Sequence, residues 1–132
     1  MPYQISELEI DAVSALPALE RYAHFLKRVA DWEELWSLRA GDAWVLSGDD
    51  DGERELVPVW PHPRYAEACA TDAWAGAEPA AIRLGEWLDV WLPGMRGDRR
   101  GAAVFPVPGE RGVAVEAERL RADLEAAAEP YE

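Results

Sequence analysis

The sequence predicts a single α+β domain in which a mainly antiparallel sheet is packed by about four helices. Apolar residues recur at helical spacing in separate segments, and short apolar strands lie between them, joined by turns rich in Gly, Asp and Pro. A chain of 132 residues with 49% apolar residues is long enough for one hydrophobic core. We therefore expect one domain over residues 1–132, with its compact core over residues 15–128.

The N-terminal part is predicted to be a polar lead-in over residues 1–12, followed by a first helix over residues 15–31. Ser14 is the expected N-cap, and Pro17 is tolerated in the first turn. The stripe expected to face the core consists of Leu16, Leu19, Ala23, Leu26 and Ala30, widened by Tyr22, Phe25 and Val29.

Three short strands are predicted next, over residues 35–38, 43–46 and 56–60, with a polar turn at residues 48–52. The third strand is apolar throughout, which predicts that both of its faces are covered. Pro58 cannot donate to a sheet ladder. We therefore expect this strand at an edge, or the Pro58 nitrogen facing away from a neighbouring strand.

A short helix over residues 63–70 is predicted to begin at Pro63 and to bury Tyr65, Ala66 and Cys69. Residues 71–79 are expected to be a loop, and residues 81–83 a brief strand. A further helix is predicted over residues 84–91, ending at Pro93. Its apolar stripe is Leu84, Trp87, Leu88, Trp91 and Leu92.

The C-terminal part is predicted to contain a loop over residues 95–101, a hairpin of residues 102–105 with 113–115, and a last helix over residues 116–128. Arg121 and Glu125 are spaced to pair along this helix. Its inward residues are expected to be Leu120 and Leu124 with Ala117, Ala127 and Ala128.

Seven tryptophans are a large number for this length, and each one buries a large apolar area while keeping one N–H donor. Trp36, Trp44, Trp87 and Trp91 are expected in the core. Trp60 lies beside Pro61 and is the candidate for a functional role. Trp32 and Trp74 are left open between core and surface.

Net charge limits the partners of the protein. Acidic residues number 26 against 13 basic ones, which gives −13 at pH 7. This argues against nucleic acid and anionic membrane and permits a basic protein partner. Cys69 is the only cysteine and fits a reducing compartment. The N-terminus lacks signal-peptide features and no apolar run approaches a membrane span, so a cytoplasmic location is expected.

No catalytic or metal-binding motif stands out. His24, His62 and Cys69 are too few and wrongly spaced for a metal site, and no cofactor motif is present. The acidic segment 49–53 lacks the bidentate Glu of a calcium loop, so a solvated hairpin turn is expected there. An acid–base pair set by tertiary structure stays open, but the sequence favours a protein that is not an enzyme.

Two groups of residues are candidates for binding. Trp60, His62 and Arg64 stand at a strand-to-helix turn that the neighbouring prolines would hold as a rigid, exposed corner. Arg96, Arg99 and Arg100 form the one local basic cluster and could hold a carboxylate or phosphate. For the first group, the alternative is a turn whose prolines only fix the path of the chain. For the second group, it is a flexible loop whose arginines balance the charge of the surrounding acidic residues.

Several segments resemble a known family. They are residues 31–38, 57–61, 65–69, 91–94 and 104–106. In this order they resemble the family known as domain of unknown function 2750, which consists of small bacterial proteins, and the resemblance covers about residues 15–128. That family has no established active site, so the resemblance assigns no functional residue. The layout of strands and short helix is more loosely similar to SseB-like domains and to some immunity proteins of bacterial toxin systems.

The leading hypothesis is a cytosolic, non-enzymatic module that binds another protein, in an immunity or regulatory role. The competing hypothesis is an enzyme or small-ligand binder with a pocket near Trp60, His62, Arg64 and the Arg96–Arg100 loop. The sequence leaves the oligomeric state open.

Overall fold

A computed structural model describes residues 6–48, 54–71 and 74–128, which contain both helices and strands. The helices are α1 (Glu7–Ser14), α2 (Ala18–Trp32), α3 (Pro63–Ala68), α4 (Leu84–Glu86), a π-helical segment (Trp87–Trp91), α5 (Leu92–Gly97) and α6 (Ala117–Ala128). The strands are β1 (Glu34–Ala40), β2 (Ala43–Trp44), β3 (Ser47–Gly48), β4 (Glu55–Val59), β5 (Glu78–Arg83), β6 (Gly101–Val104) and β7 (Val113–Glu116).

These strands form two sheets, ordered β2-β1-β5 and β3-β4-β6-β7. Strands β4 and β6 are parallel, and the other pairs are antiparallel. The sheets meet where Trp36 and Trp60 exchange two backbone hydrogen bonds of 2.8 Å. The α+β class with mainly antiparallel pairing is confirmed, whereas the single sheet expected from the sequence is corrected to two.

Pro58 explains why the two sheets do not merge. It lies two residues before Trp60, so its nitrogen faces β1 but has no proton to donate to the ladder. Its carbonyl instead accepts from the buried Ser37 hydroxyl at 2.6 Å. Of the two alternatives predicted for Pro58, the edge strand is wrong because β4 lies between β3 and β6. The nitrogen points away from β6, its ladder partner, although it faces β1.

The N-terminal part contains two helices where one was predicted. Helix α1 begins inside the expected polar lead-in, where the Ser6 hydroxyl accepts from the backbone N–H of Glu9 at 3.1 Å. Ser14 is the last residue of α1 rather than an N-cap. Helix α2 follows Pro17 with no side-chain cap.

The buried face of α2 differs from the predicted stripe. Arg21, Phe25 and Val29 are buried at a spacing of four residues, while Leu19 is 74% exposed. Ala23 is also exposed. The prediction of Leu19 and Ala23 as inward residues is wrong. The buried stripe of α2 contains the charged residue Arg21, and a search for apolar residues at helical spacing does not assign a charged residue to the core.

The helix predicted to end at Pro93 continues to Gly97. In the π-helical segment the N–H of Leu92 bonds the Trp87 carbonyl, five residues back. The same pattern would pair Pro93 with the carbonyl of Leu88, which accepts instead from the Arg121 guanidinium of α6. Because α6 supplies this donor, the helix passes through the proline.

The C-terminal elements follow the prediction closely. Strands β6 and β7 pair antiparallel, and Ala117, Leu120 and Leu124 of α6 are buried. Arg121 and Glu125 lie 3.5 Å apart as expected. Ala127 and Ala128 are exposed, contrary to prediction, because they lie beyond the last buried turn of the helix.

One hydrophobic core, running from Val13 to Leu124, joins both sheets and the helices. Trp87 is fully buried as predicted, and so is Trp60. Trp44, Trp74 and Trp91 are only partly buried against this core. Trp36, which was predicted in the core, is half-buried and is not one of the residues of this cluster, and Trp32 is exposed. Within the described segments, no helix combines the length and apolar character needed to cross a membrane.

Candidate functional site

The tryptophan expected at an exposed corner is buried. The Trp60 indole Nε1 donates to the Pro106 carbonyl at 2.7 Å, and its ring meets Trp74 edge to face with centroids 6.3 Å apart. The side chain therefore joins β4 to the segment after β6. The expectation of an exposed Trp60 is wrong because the indole has both an apolar pocket and a partner for its N–H inside the core.

His62 and Arg64 hold helix α3 in place. His62 is buried and is the N-cap, since its Nδ1 accepts from the backbone N–H of Arg64 at 3.1 Å. Pro63 is the first helical residue, as predicted. Arg64 is exposed and pairs with Glu7 at 2.7 Å and with Glu67 at 3.7 Å. These contacts are structural, and a binding role for the two residues stays a prediction.

Arg96, Arg99 and Arg100 line a cleft of about 250 Å³ at the end of α5. Arg96 pairs with Glu118 at 2.6 Å, and Arg100 pairs with Glu55 at 3.2 Å. The buried tryptophan and histidine described above do not line this cleft, so the structure does not unite the two groups of candidates. The other lining residues are Arg54, Glu116, Ala117 and Glu118.

The helix α4, the π-helical segment and α5 follow one another without a break, and we call them the composite helix. A second cleft, of about 410 Å³, lies between the β2–β4 region and this composite helix. Its lining is largely apolar, and Asp98 and Arg100 add charge. Of the sequence candidates, only Arg100 belongs to it. We call it the aromatic cleft; it is lined by Trp44, Leu46, Val57, Val90, Trp91, Gly94, Met95, Asp98 and Arg100.

Two partly buried tryptophans form the aromatic part of this cleft. The rings of Trp44 and Trp91 meet edge to face, with centroids 4.8 Å apart and planes at 84°. The ring of Trp91 also packs against that of Trp87, with the ring centroids 5.5 Å apart. On Trp44, the Arg39 guanidinium lies 5.6 Å from the ring centroid. Trp44 and Trp91 thus pack on the core and also present apolar surface to the cleft.

The π-helical segment brings Val90 and Trp91 to the cleft. A π turn contains one residue more than an α turn, so the residues around it are rotated relative to a regular helix, and such turns are frequent at functional sites. Val90 is 63% exposed although it is apolar. A signal in the sequence could have found it, because Val90 is the apolar residue outside the predicted stripe of this helix.

Cys69 and His24 have shifted acidities that follow from burial. The Cys69 thiol donates to the Pro106 carbonyl at 3.4 Å, and burial raises its pKa to about 11. Burial, followed by the charge of Arg28, lowers the pKa of His24. As predicted, Cys69 is buried as a small apolar residue, and Tyr65 and Ala66 are buried with it.

Metal binding has no support in the described part of the chain, where no group of three or more His, Cys, Asp or Glu side chains could hold an ion. The acidic turn over residues 49–53, predicted to be a solvated hairpin, lies outside the residues that the structure describes.

The fold and its clefts define a small α+β domain with two linked sheets and an open aromatic cleft. The model of the family described as "Protein of unknown function (DUF2750)" matches residues 22–124, and the chain belongs to this family. A search of curated proteins and a search of solved structures each gave no match. The family resemblance is thereby confirmed, whereas neither search shows the SseB-like likeness.

Proposed function

We propose that the protein is a non-enzymatic binding module whose aromatic cleft receives an apolar side chain of another protein. The observation that carries this proposal is Val90, an apolar residue that is 63% exposed on a cleft also lined by Trp44 and Trp91. Interfaces are anchored by aromatic and aliphatic side chains that fill such cavities and become desolvated on binding.

The dimensions of the cleft suit this role. Its volume of about 410 Å³ exceeds that of any single amino-acid side chain. Trp44 and Trp91 can gain further burial from a partner without leaving the core. The immunity or regulatory role rests on the likeness to SseB-like domains and immunity proteins. We place the role in the cytoplasm because a lone cysteine suits a reducing compartment.

Small-ligand binding at the aromatic cleft is the second candidate function. Clefts that hold small molecules enclose about 300–1,000 Å³ and are mostly apolar with a few polar groups. The aromatic cleft falls within this range, and Arg100 and Asp98 supply polar contacts. The arginine cleft at the end of α5 suits an anionic ligand less well, because Glu116 and Glu118 also line it.

A charge placed in the cleft tests the proposal. Tagged wild-type protein, Val90→Asp and Leu19→Asp are used to capture proteins from native lysate. Both positions are exposed apolar residues, so both variants should keep the wild-type melting temperature. We expect a protein captured by the wild type and by Leu19→Asp, with capture by Val90→Asp reduced at least about tenfold.

Equal capture by all three proteins would contradict a role for the cleft. A wild-type protein that retains nothing would remove the support for a protein partner and favour the small-ligand candidate.

A further inference from the structure

The aromatic cleft is bordered by arginines that already have acidic partners. Arg100 lies 3.2 Å from Glu55 and 3.6 Å from Asp98. Arg39, which covers Trp44, lies 4.0 Å from Asp42. Of these groups, only Arg100 and Asp98 line the cleft. Together with Glu55, the other partner of Arg100, they set two carboxylates against one guanidinium beside the apolar interior.

The exposure of these groups favours an incoming cation. The side chains of Glu55 and Asp98 are 59% and 65% exposed, whereas that of Arg100 is 37% exposed. The carboxylates of Glu55 and Asp98 therefore keep oxygen atoms that can accept further hydrogen bonds, whereas the Arg100 guanidinium already pairs with these two carboxylates. An incoming carboxylate would meet a neutralised arginine and two like charges.

The Trp44 ring also accepts a cation in this structure. The guanidinium of Arg39 lies over it at 5.6 Å, within the distance at which a ring attracts a cation through its electron-rich face. The net charge of −13 acts in the same direction, because the field of an acidic protein attracts a basic partner and accelerates the encounter.

We infer that the partner segment combines an apolar anchor with flanking arginine or lysine. The anchor, an aliphatic or aromatic side chain, fills the space between Val90, Trp91 and Met95. The flanking cations pair with Glu55 and Asp98. This inference rests on the proposed function and adds the chemical class of the partner to it.

Selection from a phage-displayed library of random peptides tests this without knowledge of the natural partner. The library is selected on the wild-type protein and counter-selected on Val90→Asp. We expect enriched peptides in which an aliphatic or aromatic residue lies next to arginine or lysine. Enrichment of neutral or acidic peptides would overturn the inference alone. Absence of any peptide that discriminates against Val90→Asp would overturn the proposed function as well.

An enriched peptide is then titrated against charge variants. Glu55→Gln combined with Asp98→Asn should weaken binding about threefold to tenfold, as expected for two exposed ion pairs, and added salt should weaken wild-type binding similarly. Asp31→Asn, at an exposed position of α2, removes a charge away from the cleft and should leave the affinity within twofold. Equal affinity for the double variant and the wild type would contradict pairing at the rim.

Discussion

Three buried donors converge on two neighbouring carbonyls, those of Phe105 and Pro106. Arg21 Nε donates to Phe105 at 3.1 Å, and Trp60 and Cys69 both donate to Pro106. Phe105 has a φ of 58°, a left-handed conformation that costs a non-glycine residue about 1–2 kcal/mol. The donors come from α2, from the residue after β4 and from the residue after α3, so segments distant in sequence meet here to build the core.

Arg21 should be a main support of this region. Its guanidinium also donates to the Leu16 carbonyl at 2.7 Å and to Glu110 at 3.1 Å. Arg21→Met leaves buried carbonyls without donors, and we expect a loss of about 2–4 kcal/mol in the free energy of unfolding. Arg119→Met, at an exposed arginine, is the control and should change stability by less than about 0.5 kcal/mol. Chemical denaturation measures both, and equal midpoints would contradict the role of Arg21.

The Cys69 thiol should be unreactive in the folded protein. With a pKa of about 11, only about 0.1% is thiolate at pH 8, against about a quarter for an ordinary thiol. Labelling by Ellman's reagent should therefore be at least about 100-fold slower than in guanidinium chloride. Because the folded pKa is raised, stability should also fall as the pH rises from 9 towards 11. Equal labelling rates would show an accessible thiolate.

At the scale of elements, the connection between β6 and β7 depends on glycine at one defined position. Gly112 has a φ of 79°, and a Cβ built there would lie 2.4 Å from the Val104 carbonyl oxygen. Gly41, between β1 and β2, has a similar φ of 63°, but a Cβ there would meet nothing within 4 Å. Both positions have a left-handed backbone that would strain any other residue, but only at Gly112 is there no room for a Cβ.

Alanine substitutions at these glycines should separate the two effects. Gly41→Ala should cost about 1–2 kcal/mol, the strain of a left-handed alanine. Gly112→Ala adds a steric clash with backbone and should cost at least about 2 kcal/mol more, because buried backbone has little room to move. Urea denaturation of both variants measures the difference. Equal losses would mean that the β6–β7 connection can relax around a side chain.

At the scale of the whole molecule, acidic charge exceeds what the arginines can neutralise. Arg64, Arg96 and Arg100 each pair with carboxylates of other elements. These exposed pairs contribute little, about 0–1 kcal/mol each. The net charge remains −13, and repulsion among the excess carboxylates opposes the compact state.

Salt should therefore stabilise the protein. Raising NaCl from about 10 to 150 mM shortens the screening length from about 30 to 8 Å, which weakens repulsion across the surface. We expect the melting temperature to rise by about 3 °C, equivalent to roughly 1 kcal/mol. Calorimetry at several salt concentrations provides the measurement. A melting temperature that falls with salt would show that the ion pairs outweigh the repulsion.

Much of the fold could be predicted from the sequence because the signals are local. Helical spacing located α2, α6 and the start of the composite helix, and Pro63 with the buried Tyr65 defined α3. Of the residues that line the aromatic cleft, only Arg100 was among the predicted binding residues, and it was predicted in a pocket with Trp60 and His62. Trp44 and Trp91 were assigned to the core alone, because an apolar pattern does not distinguish a fully buried ring from one with an open face.

The sequence by itself determined the α+β class, the order of most elements, the family and the acidic character of the protein. Tertiary structure decided the buried Arg21, the division into two sheets, the passage of a helix through Pro93 and the aromatic cleft. Each of these depends on a partner far along the chain, such as the Phe105 carbonyl that Arg21 meets across 84 residues. Local periodicity carries no information about such partners, because a buried polar group is stabilised by whichever donor or acceptor the fold brings to it.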